Sequence, residues 1–319
     1  MTARLLTAAL FCAVSLAAQP SLVRIGVLGL FEPHELTLRA SAAGPLRLSG
    51  GSIVEGQRSA NGDRLLITID GHASETDSLS TAGSFELSVP GKLSRLYSGA
   101  LEVNARGGTL QALVVMDLET AVAAAVAGEA DLGGPHEALL AQAVASRSYL
   151  ASGRRHEGYD FCDTTHCQYL TDSLDERARR AAAETAGVLL WHDGKPFEAL
   201  FTRSCDGHTR SGAGFRAVAC PICAGDPKTW MRTHPLAEGA ALIRERSERA
   251  RLNVVRRLGW DAIPSNAYEV AVNGDTATFT GAGEGHGMGL CQRGAVGLAR
   301  QGASWRDILH RYFPAVLIR

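Results

Sequence analysis

The chain has 319 residues, room for two domains of ordinary size, and 45% of them are hydrophobic, as in a globular protein with a substantial core. Its 32 Lys and Arg nearly balance 33 Asp and Glu, for a net charge of −1. No basic tail or stripe stands out, which argues against nucleic acid as a partner.

The N-terminus, MTARLLTAALFCAVSLAAQPSL, sets Arg4 before an apolar run from Leu5 to Ala18, then small residues and Gln19-Pro20. This is the pattern of a secretory signal peptide over residues 1–18, cleaved near Ala17 or Ala18. The run is short for a membrane span; a retained signal anchor is the alternative. The mature protein is therefore expected in the periplasm or cell envelope, with no stable membrane span. Cleavage removes Cys12 and leaves Cys162, Cys167, Cys205, Cys220, Cys223 and Cys291.

Residues 22–116 read as a β-rich domain. VRIGVLGL, ELTLRA, LRLSG, RLLITID, FELSV, GALEVNA and LQALVVM alternate and are broken by Gly, Pro, Asn and Asp. From 117 to 319 a mixed domain is expected, with a helical catalytic subdomain and β-hairpins, giving an α+β chain. Asp117 is a candidate N-cap for the first helix, and Pro135 opens HEALLAQAVASRSYLASG. Ser173 and Glu176 have capping-box spacing before ARRAAAETAG, with Gly187 at its stop. VLLW and PFEALFTRS flank a tight turn at Asp193-Gly194. Residues 240–258 read as one charged amphipathic helix, YEVAV and TATFTG pair around NGD, and Ser304 caps SWRDILHRYF.

Within the first helix, VMDLETAVAAAVAGEAD, Leu118, Val122, Ala125 and Glu129 fall near one line at about 100° per residue. Glu129 thus shares the apolar stripe, while Glu119 points to the wet side. A carboxylate there has a raised pKa and can serve as a general acid, unless a cation pairs with it. Arg147, on an apolar stripe of the next helix, is the candidate partner.

Two cysteine sets carry further chemistry. RRHEGYDFCDTTHCQY supplies His156, Cys162, His166 and Cys167 at ligand-like separations, H-x5-C and C-x4-C, suited to zinc; a Cys162–Cys167 disulfide is the competing reading. The second set is Cys205, the C-x2-C pair Cys220 and Cys223, and Cys291, for which disulfides or mixed thiol chemistry compete with a metal. GAGEGHGMGLCQRGA lacks the βαβ setting of a dinucleotide-binding turn and reads instead as a tight turn bringing His286 against a cleft. His286 and Cys291 also invite a cysteine-nucleophile reading, which lacks an orienting third group.

Several stretches together resemble the stage II sporulation protein D and amidase-enhancer family: VVMDLETAVAAAVAGEA, HEALLAQAVASRSYL, FCDTTHCQYL, RSCDGHT, GHGMGLCQRGA and WRDILHRYFP, in the family's order. The resemblance runs from about Arg95 to the C-terminus. It implies a lytic transglycosylase of peptidoglycan glycan strands with Glu129 as its essential acid. It also matches Arg147, Gln168, Ser204, Gly207, Thr209, His286, Gly287, Gly289, Gln292 and Gly294, as cleft or scaffold positions. A structural zinc is implied for the segment from His156 to Cys167. Ala130, Asp206 and Cys291 depart from the family's usual Met, Gly and Ser; the last suggests a thiol cluster behind the site. Because other members stimulate a cell-wall amidase, the alternative is a non-catalytic peptidoglycan-binding activator. Metal-dependent amide hydrolysis is a third reading.

Overall fold

The computed structural model describes residues 22–319 apart from 41–45, 51, 55–56, 60–63, 70–71, 172–174 and 213. The expected signal peptide, Cys12 and Ser173 lie outside the described residues. The fold is α+β.

Alternation between apolar and polar residues builds a nine-stranded sheet among the described residues. Its order is Phe161–Cys162, Leu22–Val27, Thr109–Asp117, Leu93–Arg106, Ser78–Val89, Glu35–Ala40, Leu46–Gly50, Leu65–Ile69 and His72–Thr76. Neighbours are antiparallel except for the short edge strand Phe161–Cys162, which runs parallel to Leu22–Val27. Ser78–Val89 and Leu93–Arg106 form a longer hairpin than FELSV and GALEVNA suggest. Its outer half, SLSTAGS, is built of small and polar residues that carry no apolar alternation.

Three helices cover this sheet: α1 (Leu118–Glu129), α2 (His136–Ala151) and α3 (Glu176–Glu184). Val23, Ile25, Val114 and Met116 of the sheet share one core with Ala121, Val122 and Val126 of α1, Leu139 and Ala143 of α2, and Ala178, Ala181 and Ala182 of α3. The run of Ala and Val in α1 keeps its surface narrow where sheet and helices crowd it. Asp117 caps α1 by accepting from Thr120 N–H at 3.0 Å. α3 is capped by Asp175, which accepts from Ala178 N–H at 2.9 Å.

α2 is buried on every side from Ala138 to Leu150, with polar Gln142, Ser146, Arg147 and Ser148 included. Its other side, with Ala141, Val144 and Ala145, packs into a second core with Leu190, Cys291, Ala295, Ile308 and Leu309. Further along the chain follow α4 (Pro221–Gly225), α5 (Leu236–Arg244), α6 (Glu248–Leu258), α7 (Gln292–Arg300) and α8 (Trp305–Tyr312). The helix expected over 240–258 is two helices, broken where Ser247 leaves the helical path to cap α6 by accepting from Ala250 N–H. α5 and α6 cover a three-stranded sheet, Thr229–Pro235, Thr276–Ala282 and Tyr268–Asn273, over a third core around Phe279. The Asp193-Gly194 turn joins Leu190–His192 to Lys195–Pro196, with both turn residues at positive φ. Ser304 caps α8 in a full capping box with Asp307. No described helix is long and apolar enough to cross a membrane.

Candidate active site

α1 delivers its last residue, Glu129, to the wall of a cleft of about 870 Å³. The cleft lies between the end of α1, the start of α2, the strand end at Arg203-Ser204, α4 and α7. Gly128 is what lets α1 end there. A Cβ at that position would stand 2.3 Å from the carbonyl oxygen of Tyr169, so only glycine allows the 168–171 segment to lie against the helix. Thr171 N–H donates to Ala124 O of α1 at 3.2 Å, and Tyr169 N–H donates to Glu129 Oε1 at 2.6 Å. Glycine here serves the close approach of the two segments.

Burial raises the Glu129 pKa from 4.5 to about 7, against the opposing pull of the Tyr169 N–H and the Arg203 charge. Among the described residues no cation forms an ion pair with Glu129. The wall's other acids are engaged elsewhere: Glu284 pairs with Arg203 at 3.3 Å, Asp226 pairs with Arg293, and Asp131 accepts from Gly133 N–H at 3.1 Å. Glu129 is therefore poised to give and retake a proton near neutral pH.

The partnership expected between Glu129 and Arg147 is not formed. Arg147 is fully buried and grips Glu119 through two bonds, Nε to Oε1 at 2.8 Å and Nη2 to Oε2 at 2.6 Å. Its remaining donors reach Ala182 O, Thr185 Oγ1 and Val188 O. Arg147 thus locks α2 to α1 and to the end of α3, outside the cleft. The wheel that set Glu119 on the wet side could not foresee that α3 would bring an arginine's other acceptors beside it.

Of the other residues matched by the resemblance, Ser204 and Gln292 line the cleft. Gln292 Nε2 donates to Glu129 O at 2.9 Å and to Gln142 Oε1 at 3.2 Å, joining the starts of α7 and the ends of α1 to α2. Ser204 Oγ is buried without a hydrogen-bond partner among the described residues. Gln168, also buried, points Nε2 toward Ser146 O at 3.5 Å, behind the wall. Gly207 and Thr209 belong to a loop that sets the Cys220–Cys223 segment: Cys220 N–H donates to Gly207 O, and Val218 N–H donates to Thr209 Oγ1. His286 does not line the cleft. Its Nδ1 accepts from Met288 N–H at 3.0 Å, and burial lowers its pKa. Gly287 and Gly289 are in the same turn, where Gly287 N–H donates to Thr202 Oγ1. Cys291 is fully buried among thiols, which leaves the His286–Cys291 nucleophile reading without a basis.

His156, Cys162, His166 and Cys167 converge, their ligand atoms all within 4.8 Å of one another. His156 Nε2 lies 3.3 Å from Cys167 Sγ; His166 Nδ1 lies 3.8 Å from Cys162 Sγ and 3.6 Å from Cys167 Sγ. A tetrahedral zinc with ordinary bond lengths requires N···S edges of about 3.6 Å, so this donor set fits the ion. Neither thiol is in a disulfide. The loop is tied to the sheet by Asp163, which is buried, accepts from Leu28 N–H at 3.1 Å and pairs with Arg95 at 2.6 Å. Arg95 in turn lies over the Tyr169 ring, 4.7 Å from its centroid. The four candidate ligands thus end two residues before the N–H that holds Glu129.

Tyr169, Gln142, Arg95, Asp163 and Arg203 escaped the sequence reading. Of these only Asp163, an acid adjacent to a candidate ligand, carried a signal there.

A family model described as stage II sporulation protein matches residues 106–192, which span α1, α2, the histidine–cysteine loop and α3. The chain is 26% identical to a stage II sporulation protein D of Bacillus amyloliquefaciens, over 62% of this chain and 73% of that protein. It is 23% identical to the protein of that name from Bacillus subtilis, over 65% of this chain and 76% of the relative. An uncharacterised protein of Brachyspira hyodysenteriae is 24% identical over 69% and 71%. These matches bear out the resemblance: the chain is a relative of the stage II sporulation protein D family.

Proposed function

We propose that the chain is an exported peptidoglycan lytic transglycosylase that cleaves MurNAc–GlcNAc glycan strands with Glu129 as its single acid and base. One observation carries the reading: a carboxyl with a pKa of about 7, held by a backbone N–H in a cleft wall and in no ion pair among the described residues.

Protonated Glu129 donates to the glycosidic oxygen as its bond to the MurNAc anomeric carbon breaks. The carboxylate then takes the proton of the MurNAc C6 hydroxyl, whose oxygen attacks that carbon and closes a 1,6-anhydro ring. No water is consumed and no second free carboxylate is needed, unlike the two-carboxylate arrangement of most glycoside hydrolases. That fits a cleft whose other acids are already engaged. A zinc ion in the His156, Cys162, His166, Cys167 set would brace the loop; four protein ligands leave no open position for chemistry. That closed set also speaks against metal-dependent amide hydrolysis.

The activator alternative came with Glu129 in a structural pair with Arg147; Arg147 is bound to Glu119 instead, so that pair falls away and activation itself is left to experiment. The rate of glycan-strand cleavage by purified protein, without added amidase, tests the choice. Glu129→Gln is expected to lower that rate at least about 10²-fold. An equal rate, or none in the folded wild type alongside stimulation of an amidase by both proteins, would favour the activator.

A further inference from the structure

Outside the cleft and the histidine–cysteine loop, the densest cluster of reactive side chains is that of Cys205, Cys220, Cys223 and Cys291. We propose that these four thiolates hold a second, tetrahedral zinc ion that braces the part of the cleft wall carrying Ser204, Ile222 and Gln292. The proposal is independent of the glycan-cleaving reading.

The four Sγ atoms lie within 4.8 Å of one another, with Cys223 and Cys291 3.6 Å apart. With Zn–S bonds of about 2.3 Å, the edge of a regular tetrahedron is about 3.8 Å. All four are unpaired and buried, at most 2% exposed. They come from three segments. Cys205 follows the strand Phe201–Thr202, Cys220 and Cys223 form a C-x2-C pair around the start of α4, and Cys291 caps α7. The loops that bring them are held independently of any ion: Thr202 pairs with Cys291 in parallel, and Cys220 N–H donates to Gly207 O.

The surroundings suit sulfur that has lost its proton. Gly294 N–H donates to Cys291 Sγ at 3.4 Å, and Tyr312 Oη lies 3.2 Å from Cys220 Sγ, where its hydroxyl can donate to a thiolate. A Cβ on residue 294 would stand 2.6 Å from Cys220 Sγ and 1.9 Å from Tyr312 Oη, so the glycine lets α7 close over the cluster. On binding, each thiol surrenders its proton to solvent and the ion takes the four sulfurs as ligands. The consequence reaches the cleft through chain neighbours: Ser204 precedes Cys205, Ile222 precedes Cys223, and Gln292 follows Cys291; all three line it.

The test uses the full mature chain purified without reductant, carrying His156→Ala, Cys162→Ser and Cys167→Ser to remove the loop's ligands and leave only the four cysteines of the cluster. Zinc is measured by mass spectrometry, and thiols are counted with Ellman's reagent. One zinc per chain is expected, with the four cysteines silent until denaturant and a chelator release metal and thiols together. Thiols that titrate without metal, thiols that appear only after reduction, or iron in place of zinc would each overturn the assignment. Zinc X-ray absorption on the wild-type protein needs no variant. A mean shell richer in sulfur than the loop's two-sulfur, two-nitrogen set supports the second ion, and that set alone contradicts it.

Discussion

Replacing Glu129 with Gln is expected to stabilise the fold while it removes the acid. Burial raises the carboxyl from 4.5 to about 7, so the folded protein holds this proton more tightly than the unfolded chain does. Below pH 4.5 both states are protonated and nothing is lost. As the pH climbs from 4.5 to about 7, the unfolded chain ionises first and the folded state is penalised; above 7 the penalty is constant. At about 1.4 kcal/mol for each tenfold change in proton affinity, the full penalty is about 3 kcal/mol. Contact with cleft water lowers this to about 1–3 kcal/mol. Glutamine has no such penalty, and its amide oxygen can still accept from Tyr169 N–H. Urea denaturation of both proteins between about pH 5 and pH 8, with zinc in excess, measures the difference. The variant should gain about 1–3 kcal/mol at the alkaline end and little at the acid end. A gap that is constant with pH, or that favours wild type as pH rises, would refute the reasoning.

Arg147→Ala should cost about 3–5 kcal/mol, because it strands Glu119 and empties a fully buried guanidinium site; thermal melts would show it, and an unchanged midpoint would deny the lock between α1, α2 and α3. Gly128→Ala should push Tyr169 off α1 at a cost of about 1–3 kcal/mol. Because the Tyr169 N–H lowers the Glu129 pKa, its loss should move the alkaline limb of the pH–rate profile upward, and a profile that stays put would contradict that role. Chelation should lower thermal stability and cleavage together, since the loop's ligands end beside Tyr169. Loss of cleavage with stability untouched would instead point to metal chemistry.

Local signals were the legible part of the fold. Strand alternation, the Asp117 and Ser304 caps and the Asp193-Gly194 turn depend on neighbours in sequence, and each is where its residues suggest. The single helix over 240–258 failed because the charged face of ALIRERSERARL continues through the break, while Ser247 acts as a cap in the middle of it. In the site, α1 is buried on every face from Ala121 to Val126, so Glu129 owes its setting to the segment packed on the end of the helix rather than to periodicity. Its partners could not be read. Tyr169 reaches Glu129 through a backbone N–H, which every residue but proline carries, and only the shape of Gly128 permits it. Arg147 was readable as buried and in need of a partner, yet the choice between Glu119 and Glu129 depended on where α3 packs.

The most direct test of the central claim is mass spectrometry of the products released from purified sacculi and from peptide-free glycan strands. Wild type and Glu129→Gln would be compared without added amidase. The account predicts fragments ending in 1,6-anhydroMurNAc from wild type and none from the variant. Reducing-end sugars, or no fragments from folded, metal-loaded wild type on either substrate, would contradict it.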